Sequence, residues 1–169
     1  MKLLLTSESI YNSSIAAALQ ELLPKHSTEC VAVYITTSQN AATGDKSWFL
    51  DNLNNAYKMG WKAFETIDVA AMIDLPKSMW WDRIEKADVL FMGGGANFYL
   101  GYWLEKSGLS AALPQLLETK VYVGSSAGSM IATQSLLTAS LALKQLAARE
   151  PSTLEALGPV GQRSPSVLG

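Results

Sequence analysis

The sequence predicts an α/β fold in which helices flank a parallel sheet. Short apolar runs alternate along the chain with segments whose apolar residues recur at helical spacing. Such alternation is typical of parallel sheets that are covered on both faces. The 169 residues, of which 49% are apolar, suit one domain with a well-buried core. We therefore expect a single α/β domain over residues 1–169.

The first half of the chain contains three predicted strands and two predicted helices. Lys2–Thr6 is a short apolar run bounded by polar residues, which indicates a buried strand. Asn12–Leu23 places apolar residues at helical spacing and is followed by a proline. Cys30–Thr36 is apolar and β-branched, as in a central strand. Ser47–Met59 has the pattern of a helix that ends at a glycine, and Ala63–Val69 is a weaker third strand.

The second half continues the alternation and brings glycines to the ends of two strands. Ser78–Lys86 forms a predicted helix with two tryptophans on its apolar side. The strand Asp88–Met92 runs directly into three glycines. The remaining predicted elements are the helices Asn97–Glu105 and Leu109–Glu118, the strand Lys120–Val123 and the helix Ala127–Ala132.

The chain after Ala132 has a different character. Leu136–Arg149 is rich in Leu and Ala and is predicted to be helical from propensity alone. Three of the six prolines fall in the last 19 residues, where no strand or helix pattern is visible. We expect residues 1–132 to form the well-specified core and residues 133–169 a helical and then irregular tail.

Composition excludes several classes of function. The formal charge of −2 comes from 13 basic and 15 acidic residues, so no basic surface attracts nucleic acid or anionic lipid. A single cysteine, Cys30, excludes an internal disulfide framework, and a single histidine, His26, excludes a His-rich metal site. No apolar stretch approaches the length of about 20 residues that a membrane helix needs, and none forms a signal peptide. We expect a cytoplasmic protein that binds neither nucleic acid nor membrane.

The sharpest local motif is Gly124–Gly128, which fits the pattern G-x-S-x-G directly after a predicted strand. In a nucleophile elbow, this strand-to-helix turn exposes the serine hydroxyl at the carboxyl edge of the sheet. Ser126 would then be the nucleophile, and the N–H of Ala127 would point towards a developing oxyanion. The other interpretation is a Gly/Ser-rich turn with capping serines.

A second motif, Gly93–Asn97, also lies between a strand and a helix. Consecutive glycines allow backbone amides to approach a ligand closely, as in a phosphate cradle or an oxyanion hole, although a plain sharp turn is also consistent. The dinucleotide pattern fails because Phe98 stands where its third glycine is needed, and no Gly-Lys-Ser/Thr follows for a phosphate loop. An oxyanion loop beside the elbow explains both motifs with one site, because parallel strands end at the same edge.

An ordered set of segments extends this pair of motifs over residues 1 to about 132. Its members are Leu3–Ser7, Val33–Thr37, Ala87–Gly95, Phe98–Leu100, Ser107–Leu109 and Val121–Gly128. The set resembles peptidase family S51, which includes dipeptidase E (α-aspartyl dipeptidase) and cyanophycinase.

The resemblance implies a class I glutamine-amidotransferase-like, flavodoxin-like fold with a nucleophile elbow and Ser-His-Asp/Glu chemistry. It implies Ser126 as the nucleophile, with Gly94 or Gly95 and Ala127 as oxyanion donors. The family has Gly-Gly-Gly-Asn-Thr at the glycine loop, so Asn97, displaced by one position, is the implied substrate-binding residue. The implied substrates are short peptides with an N-terminal aspartate, cleaved without metal or cofactor.

The chain departs from the family in its proton shuttle. The family's catalytic histidine follows the serine by a few tens of residues, but no histidine follows Ser126 here, and the only acids after it are Glu150 and Glu155. His26 lies in a loop predicted at the amino ends of the strands, on the opposite edge from the site. Leu154–Gly158 resembles the family's segment before the strand that leads to the histidine, but the residues after it do not. We therefore expect a shortened or altered C-terminus.

Three functional hypotheses follow. The first is a serine peptidase of the dipeptidase E type, whose activity depends on a base that the chain does not supply after Ser126. The second is an inactive pseudo-peptidase that serves as a binding or oligomerisation module, with a homodimer through an exposed sheet edge. An esterase of the α/β-hydrolase type is disfavoured, because Met92 stands where the oxyanion motif of those enzymes begins with histidine.

Overall fold

A computed structural model of the chain describes residues 1–132. The strands are β1 (Lys2–Thr6), β2 (Val31–Ile35), β3 (Ala63–Ile67), β4 (Val89–Met92) and β5 (Val121–Ser125). The helices are α1 (Ser13–Leu22), α2 (Thr37–Ala41), α3 (Ser47–Tyr57), α4 (Val69–Met72), α5 (Trp81–Lys86), α6 (Asn97–Lys106), α7 (Leu109–Leu116) and α8 (Ala127–Ala132). The predicted helix Leu136–Arg149, the tail after it and the acids Glu150 and Glu155 lie outside the described residues.

The five strands form one sheet in the order β1-β5-β4-β2-β3, and every neighbouring pair is parallel. The predicted α/β architecture is therefore confirmed. In the register, Thr6 pairs with Ser125 and Met92 pairs with Gly124. The loops that follow β1, β4 and β5 consequently leave the sheet side by side at its carboxyl edge.

Two buried clusters cover the two faces of the sheet. Leu90 and Met92 of β4 face one cluster together with residues of α5, α6, α7 and α8. Val89 and Phe91 of the same strand face the other cluster together with residues of α1 and α3. This alternation of side chains across a pleated strand explains why the strands are almost continuously apolar: both faces are buried.

The strands β2 and β4 are parallel neighbours, but the strand that follows each of them is added on opposite sides of this pair. From β2 the chain moves outward to β3, whereas from β4 it moves the other way to β5. The segments after β2 and β4 therefore diverge, and open parallel sheets bind ligands in the crevice at such a point.

The elements differ from the predicted ones mainly at their ends and in two short helices. Asn12 caps α1, its Oδ1 accepting from the N–H of Ile15 at 2.9 Å. Val69, predicted as the end of a strand, instead begins α4, because Asp68 caps that turn by accepting from the N–H of Ala70 at 3.0 Å. The helices α2 and α4 have five and four residues, too few for a period to be visible in the sequence. None of the helices within residues 1–132 is long and apolar enough to cross a membrane.

Candidate active site

Ser126 occupies the sharp turn between β5 and α8. Its φ of +46° is the only positive value at a non-glycine residue in the described part of the chain. A left-handed conformation at such a residue costs about 1–3 kcal/mol, so the surrounding structure must hold it in place. The side chain is exposed although every residue of β5 is buried. The turn thus lifts one hydroxyl group out of a buried strand, as a nucleophile elbow does.

The glycines on either side of Ser126 are required by close backbone contacts. A Cβ at Gly128 would lie 2.0 Å from the carbonyl oxygen of Met92, at the end of β4. A Cβ at Gly124 would lie 2.8 Å from the backbone nitrogen of Ser129. Both distances are far below van der Waals contact, so α8 can begin this close to the sheet only with glycine at both positions.

Hydrogen bonds join the turn to β1. The N–H of Ser126 donates to the carbonyl of Thr6 at 2.9 Å. The Oγ of Ser129 lies 2.7 Å from the same carbonyl and 2.8 Å from that of Gly124, and it accepts from the N–H of Thr6 at 3.1 Å. These contacts fix the strained turn against the neighbouring strand.

A further hydrogen bond joins α8 to β5: the hydroxyl of Tyr122 donates to the carbonyl of Gly128 at 2.7 Å. Burial raises the pKa of Tyr122 far above its usual range, so this donor keeps its proton. The first turn of α8 is thereby anchored to the interior of β5.

The glycine loop after β4 lies beside the elbow. A Cβ at Gly94 would be 3.2 Å from the Cβ of Ser126, so the loop backbone and the serine side chain are immediate neighbours. Gly95 has a φ of +122°, and a Cβ there would lie 2.5 Å from the carbonyl oxygen of Ser38 in α2. The structure therefore brings together the two motifs that the sequence placed on separate strands.

Three backbone N–H groups at this meeting point are without a hydrogen-bond acceptor among residues 1–132. They belong to Gly94, Gly95 and Ala127: Ala127 directly follows the elbow serine, Gly94 lies against its side chain, and Gly95 lines the same cleft. Unpaired amide N–H groups beside an exposed serine are the donors from which oxyanion holes are built. The oxyanion role of these residues stays a prediction.

The elbow and the glycine loop line a cleft of about 590 Å³. The loop after β1 and one face of α3 form the rest of its wall. The lining residues are Ser7, Glu8, Tyr11, Trp48, Asp51, Asn52, Asn55, Gly94, Gly95, Ser125 and Ser126.

The cleft wall is acidic. It contains the carboxylates of Glu8 and Asp51, and none of its described lining residues is Lys, Arg or His. In the part of the chain that the structure describes, ion pairs join Lys25 with Asp88 and Arg83 with Glu65, so neither cleft carboxylate is neutralised by one. The cleft therefore favours a positively charged group of a ligand.

Two other residues considered from the sequence lie away from the cleft. Asn97 begins α6, and its Oδ1 accepts from the N–H of Phe98 at 2.9 Å; it is not among the cleft-lining residues, and its substrate-binding role stays a prediction. His26 is exposed just before β2, where its Nδ1 lies 2.9 Å from the Oγ1 of Thr28. It thus lies at the amino edge of the sheet, as the sequence predicted, whereas Ser126 lies at the carboxyl edge.

Most residues of the cleft wall outside the two motifs were not predicted from the sequence. Glu8 could have been found from its place two residues beyond the end of β1, at the same edge as the two motifs. Trp48, Asp51 and Asn55 share one face of α3 at intervals of three and four residues. That spacing is visible in the sequence, but the direction in which the face points is not.

A family model for peptidase family S51 matches residues 3–163. The chain belongs to peptidase family S51.

Among solved structures, the chain is similar to a protein from Listeria monocytogenes EGD-e, known from a 1.5 Å crystal structure and provisionally named a peptidase E. The TM-score is 0.61 with 22% sequence identity, and the match covers 78% of this chain. The chain spans 61% of the length of that protein. The likeness shows a shared fold. A search of curated proteins finds no match.

Proposed function

We propose that the chain is a serine peptidase that cleaves short peptides with an N-terminal aspartate through an acyl-enzyme at Ser126. The observation that supports this most directly is the exposed, left-handed serine at +46°, held between two glycines and beside the glycine loop. A capping serine in an ordinary turn has no need of such strain.

In this proposal the Oγ of Ser126 attacks the carbonyl carbon of the scissile peptide bond. The resulting oxyanion accepts hydrogen bonds from the unpaired N–H groups of Gly94 or Gly95 and Ala127. Collapse of the tetrahedral intermediate breaks the C–N bond: the amine leaves with the proton that the Ser126 hydroxyl gave up, and an ester remains on Ser126. Water then hydrolyses this ester to the free acid and restores the serine hydroxyl. Because these donors are backbone groups of a fixed loop, they need little reorganisation when charge develops.

The acidic wall supports a substrate with a free amino terminus. An α-ammonium group is positively charged at neutral pH, and Glu8 and Asp51 are the carboxylates that line the cleft. The amides of Asn52 and Asn55, also in the wall, are neutral donors suited to the carboxylate of an N-terminal aspartate. We therefore expect peptides with a free amino group to be preferred over their N-acetylated forms.

The second candidate is a non-catalytic pseudo-peptidase that binds peptides without cleaving them. It is favoured by the position of the one histidine in these 169 residues, which lies at the edge of the sheet opposite Ser126. The activation of Ser126 requires a proton acceptor, and the ionised groups among the described cleft residues are the carboxylates of Glu8 and Asp51.

Labelling with a fluorophosphonate probe and turnover of an Asp-X dipeptide distinguish the two candidates. For a peptidase, we expect both in the wild-type chain and a loss of at least about 1,000-fold in Ser126→Ala. Ser125→Ala is the matched control, because it removes the neighbouring hydroxyl from the same motif. His26→Ala should leave both signals unchanged, since that side chain lies at the opposite edge.

A folded wild-type chain that shows neither labelling nor turnover would contradict the peptidase and support the binding module. In that case the Asp-X dipeptide should still bind, with weaker binding after Glu8→Gln or Asp51→Asn. Equal labelling of wild type and Ser126→Ala would show that another residue reacts.

A further inference from the structure

Two carbonyl oxygens of the glycine loop contact the same buried hydroxyl group. Ser38, in α2, is fully buried, and its Oγ lies 2.8 Å from the carbonyl oxygen of Gly93 and 2.7 Å from that of Gly94. The N–H of Ala96 in turn donates to the carbonyl of Ser38 at 3.0 Å. Both ends of the loop are thus connected to one residue.

These contacts determine the direction of the loop amides. In a trans peptide unit the C=O of one residue and the N–H of the next point in opposite directions, and no cis peptide bond occurs among the described residues. Since the carbonyls of Gly93 and Gly94 point towards Ser38, the N–H groups of Gly94 and Gly95 point away from it. Gly94 and Gly95 line the cleft and Ser38 does not, so these N–H groups face the cleft side.

We infer that Ser38 is the positioning residue of the oxyanion loop: its hydroxyl group keeps the N–H groups of Gly94 and Gly95 directed towards the site beside Ser126. This inference rests on the proposed function, because the orientation of those amides matters for catalysis only if they bind an oxyanion. Ser38 does not touch the substrate, since it is buried and lies outside the cleft.

Within residues 1–132, no side chain other than Ser38 donates to the carbonyls of Gly93 and Gly94. Gln39, the next residue, packs so tightly under the loop that a Cβ at Gly93 would lie 2.3 Å from its Oε1. Its amide nitrogen, however, donates to the hydroxyl of Tyr34 at 2.9 Å and not to the loop. Without the Ser38 hydroxyl, the carbonyls of Gly93 and Gly94 would lose the one O–H donor that they share, and the peptide units could rotate.

The test compares Ser38→Ala with Thr37→Val, a matched control in the same helix. Thr37 is equally buried, and its Oγ1 accepts from the N–H of Val69 at 2.9 Å, so the control removes a buried hydrogen bond that does not involve the loop. Ser38→Cys keeps the shape of the side chain with a larger atom and a weaker donor, and it serves as the second variant if Ser38→Ala fails to fold. Ser38→Thr retains the hydroxyl group and is the rescue.

Four quantities are measured: the rate of fluorophosphonate labelling, kcat and KM for the Asp-X dipeptide, and the amide resonances of [15N]glycine-labelled protein. The chain has 12 glycines, so the spectrum is small enough to follow Gly94 and Gly95 separately. For Ser38→Ala we expect labelling and kcat to fall about 10-fold, KM to change less than about 2-fold, and the resonances of Gly94 and Gly95 to shift. Thr37→Val should lower only the free energy of unfolding and leave the labelling rate and the two resonances unchanged. Ser38→Thr should restore the labelling rate.

Unshifted resonances of Gly94 and Gly95 in Ser38→Ala, or a labelling rate equal to that of a reactive wild type, would overturn the inference. If the wild-type chain is not labelled at all, the proposed function fails but the inference is still decided. A shift of both resonances in Ser38→Ala and not in Thr37→Val then supports it, and their constancy refutes it.

Discussion

The two edges of the sheet use their polar groups in opposite ways. At the amino edge, Asp88 accepts from the N–H of Val31 at 2.8 Å and pairs with Lys25 at 3.4 Å. The ammonium group of Lys120 donates to the carbonyls of Glu85 and Ala87 at 2.6 and 2.7 Å, and burial lowers its pKa. Polar groups at this edge are satisfied by one another, which stabilises the strand ends.

At the carboxyl edge, polar groups are left available. The N–H groups of Gly94, Gly95 and Ala127 have no acceptor within residues 1–132, and Ser126 is held in a strained conformation. Unpaired donors and backbone strain cost stability, and they persist where they serve a function. The same parallel sheet thus has a structural edge, at the amino ends of its strands, and an edge that we propose to be the reactive edge, at their carboxyl ends.

The largest expected effect concerns the closest backbone contact at the carboxyl edge. Gly128→Ala places a Cβ 2.0 Å from the carbonyl oxygen of Met92, and neither backbone can move without separating α8 from β4. We expect a loss of at least about 4 kcal/mol in the free energy of unfolding, measured by urea denaturation.

The control for this substitution is Gly108→Ala. A Cβ at Gly108 has no neighbour within 4 Å, and the cost is limited to its φ of +80°, about 1 kcal/mol. Equal losses in the two variants would show that the contact at Gly128 does not constrain the turn.

An intermediate effect is expected at the structural edge. Asp88→Ala removes the acceptor of the Val31 N–H together with the partner of Lys25. We expect a loss of about 2 kcal/mol in unfolding free energy and no change in the labelling rate of Ser126. A fall in labelling with the fold intact would show that the two edges are coupled.

The smallest effect has the opposite sign. Ser126→Gly relieves the left-handed strain at +46°, and we expect a gain of about 1 kcal/mol in unfolding free energy with complete loss of labelling. Thermal denaturation of this variant beside Ser126→Ala measures the gain, because Ala removes the hydroxyl group but keeps the strain. Equal stability of the two variants would mean that the turn is not strained.

The local pattern of residues was sufficient to predict the strands of the sheet and both glycine motifs. β1 has the predicted bounds, and the four other strands lie at their predicted places, because each strand is an apolar segment bounded by turn residues. The strand Lys120–Val123 in fact continues to Ser125, so the first half of the elbow motif belongs to β5. Small residues such as Gly124 do not reveal a strand from their propensity.

The residues of the cleft wall and the contact of Ser38 with the glycine loop could not be predicted from local pattern. Ser38 lies in a five-residue helix that has no visible period, and it lies 55 residues before the first carbonyl it contacts. Glu8 and Asp51 are ordinary acidic residues until the sheet order places the loop after β1 and the helix α3 around Ser126.

The amino-acid sequence therefore specified which segments are strands, which turns need glycine and which serine is presented at a sheet edge, because those properties depend on residues a few positions apart. The grouping of Ser126 with Gly94, Ser38 and the acidic wall arose from the strand order β1-β5-β4-β2-β3. Strand order depends on how the faces of the helices pack on the sheet, and that packing joins residues whose separation along the chain leaves no local pattern.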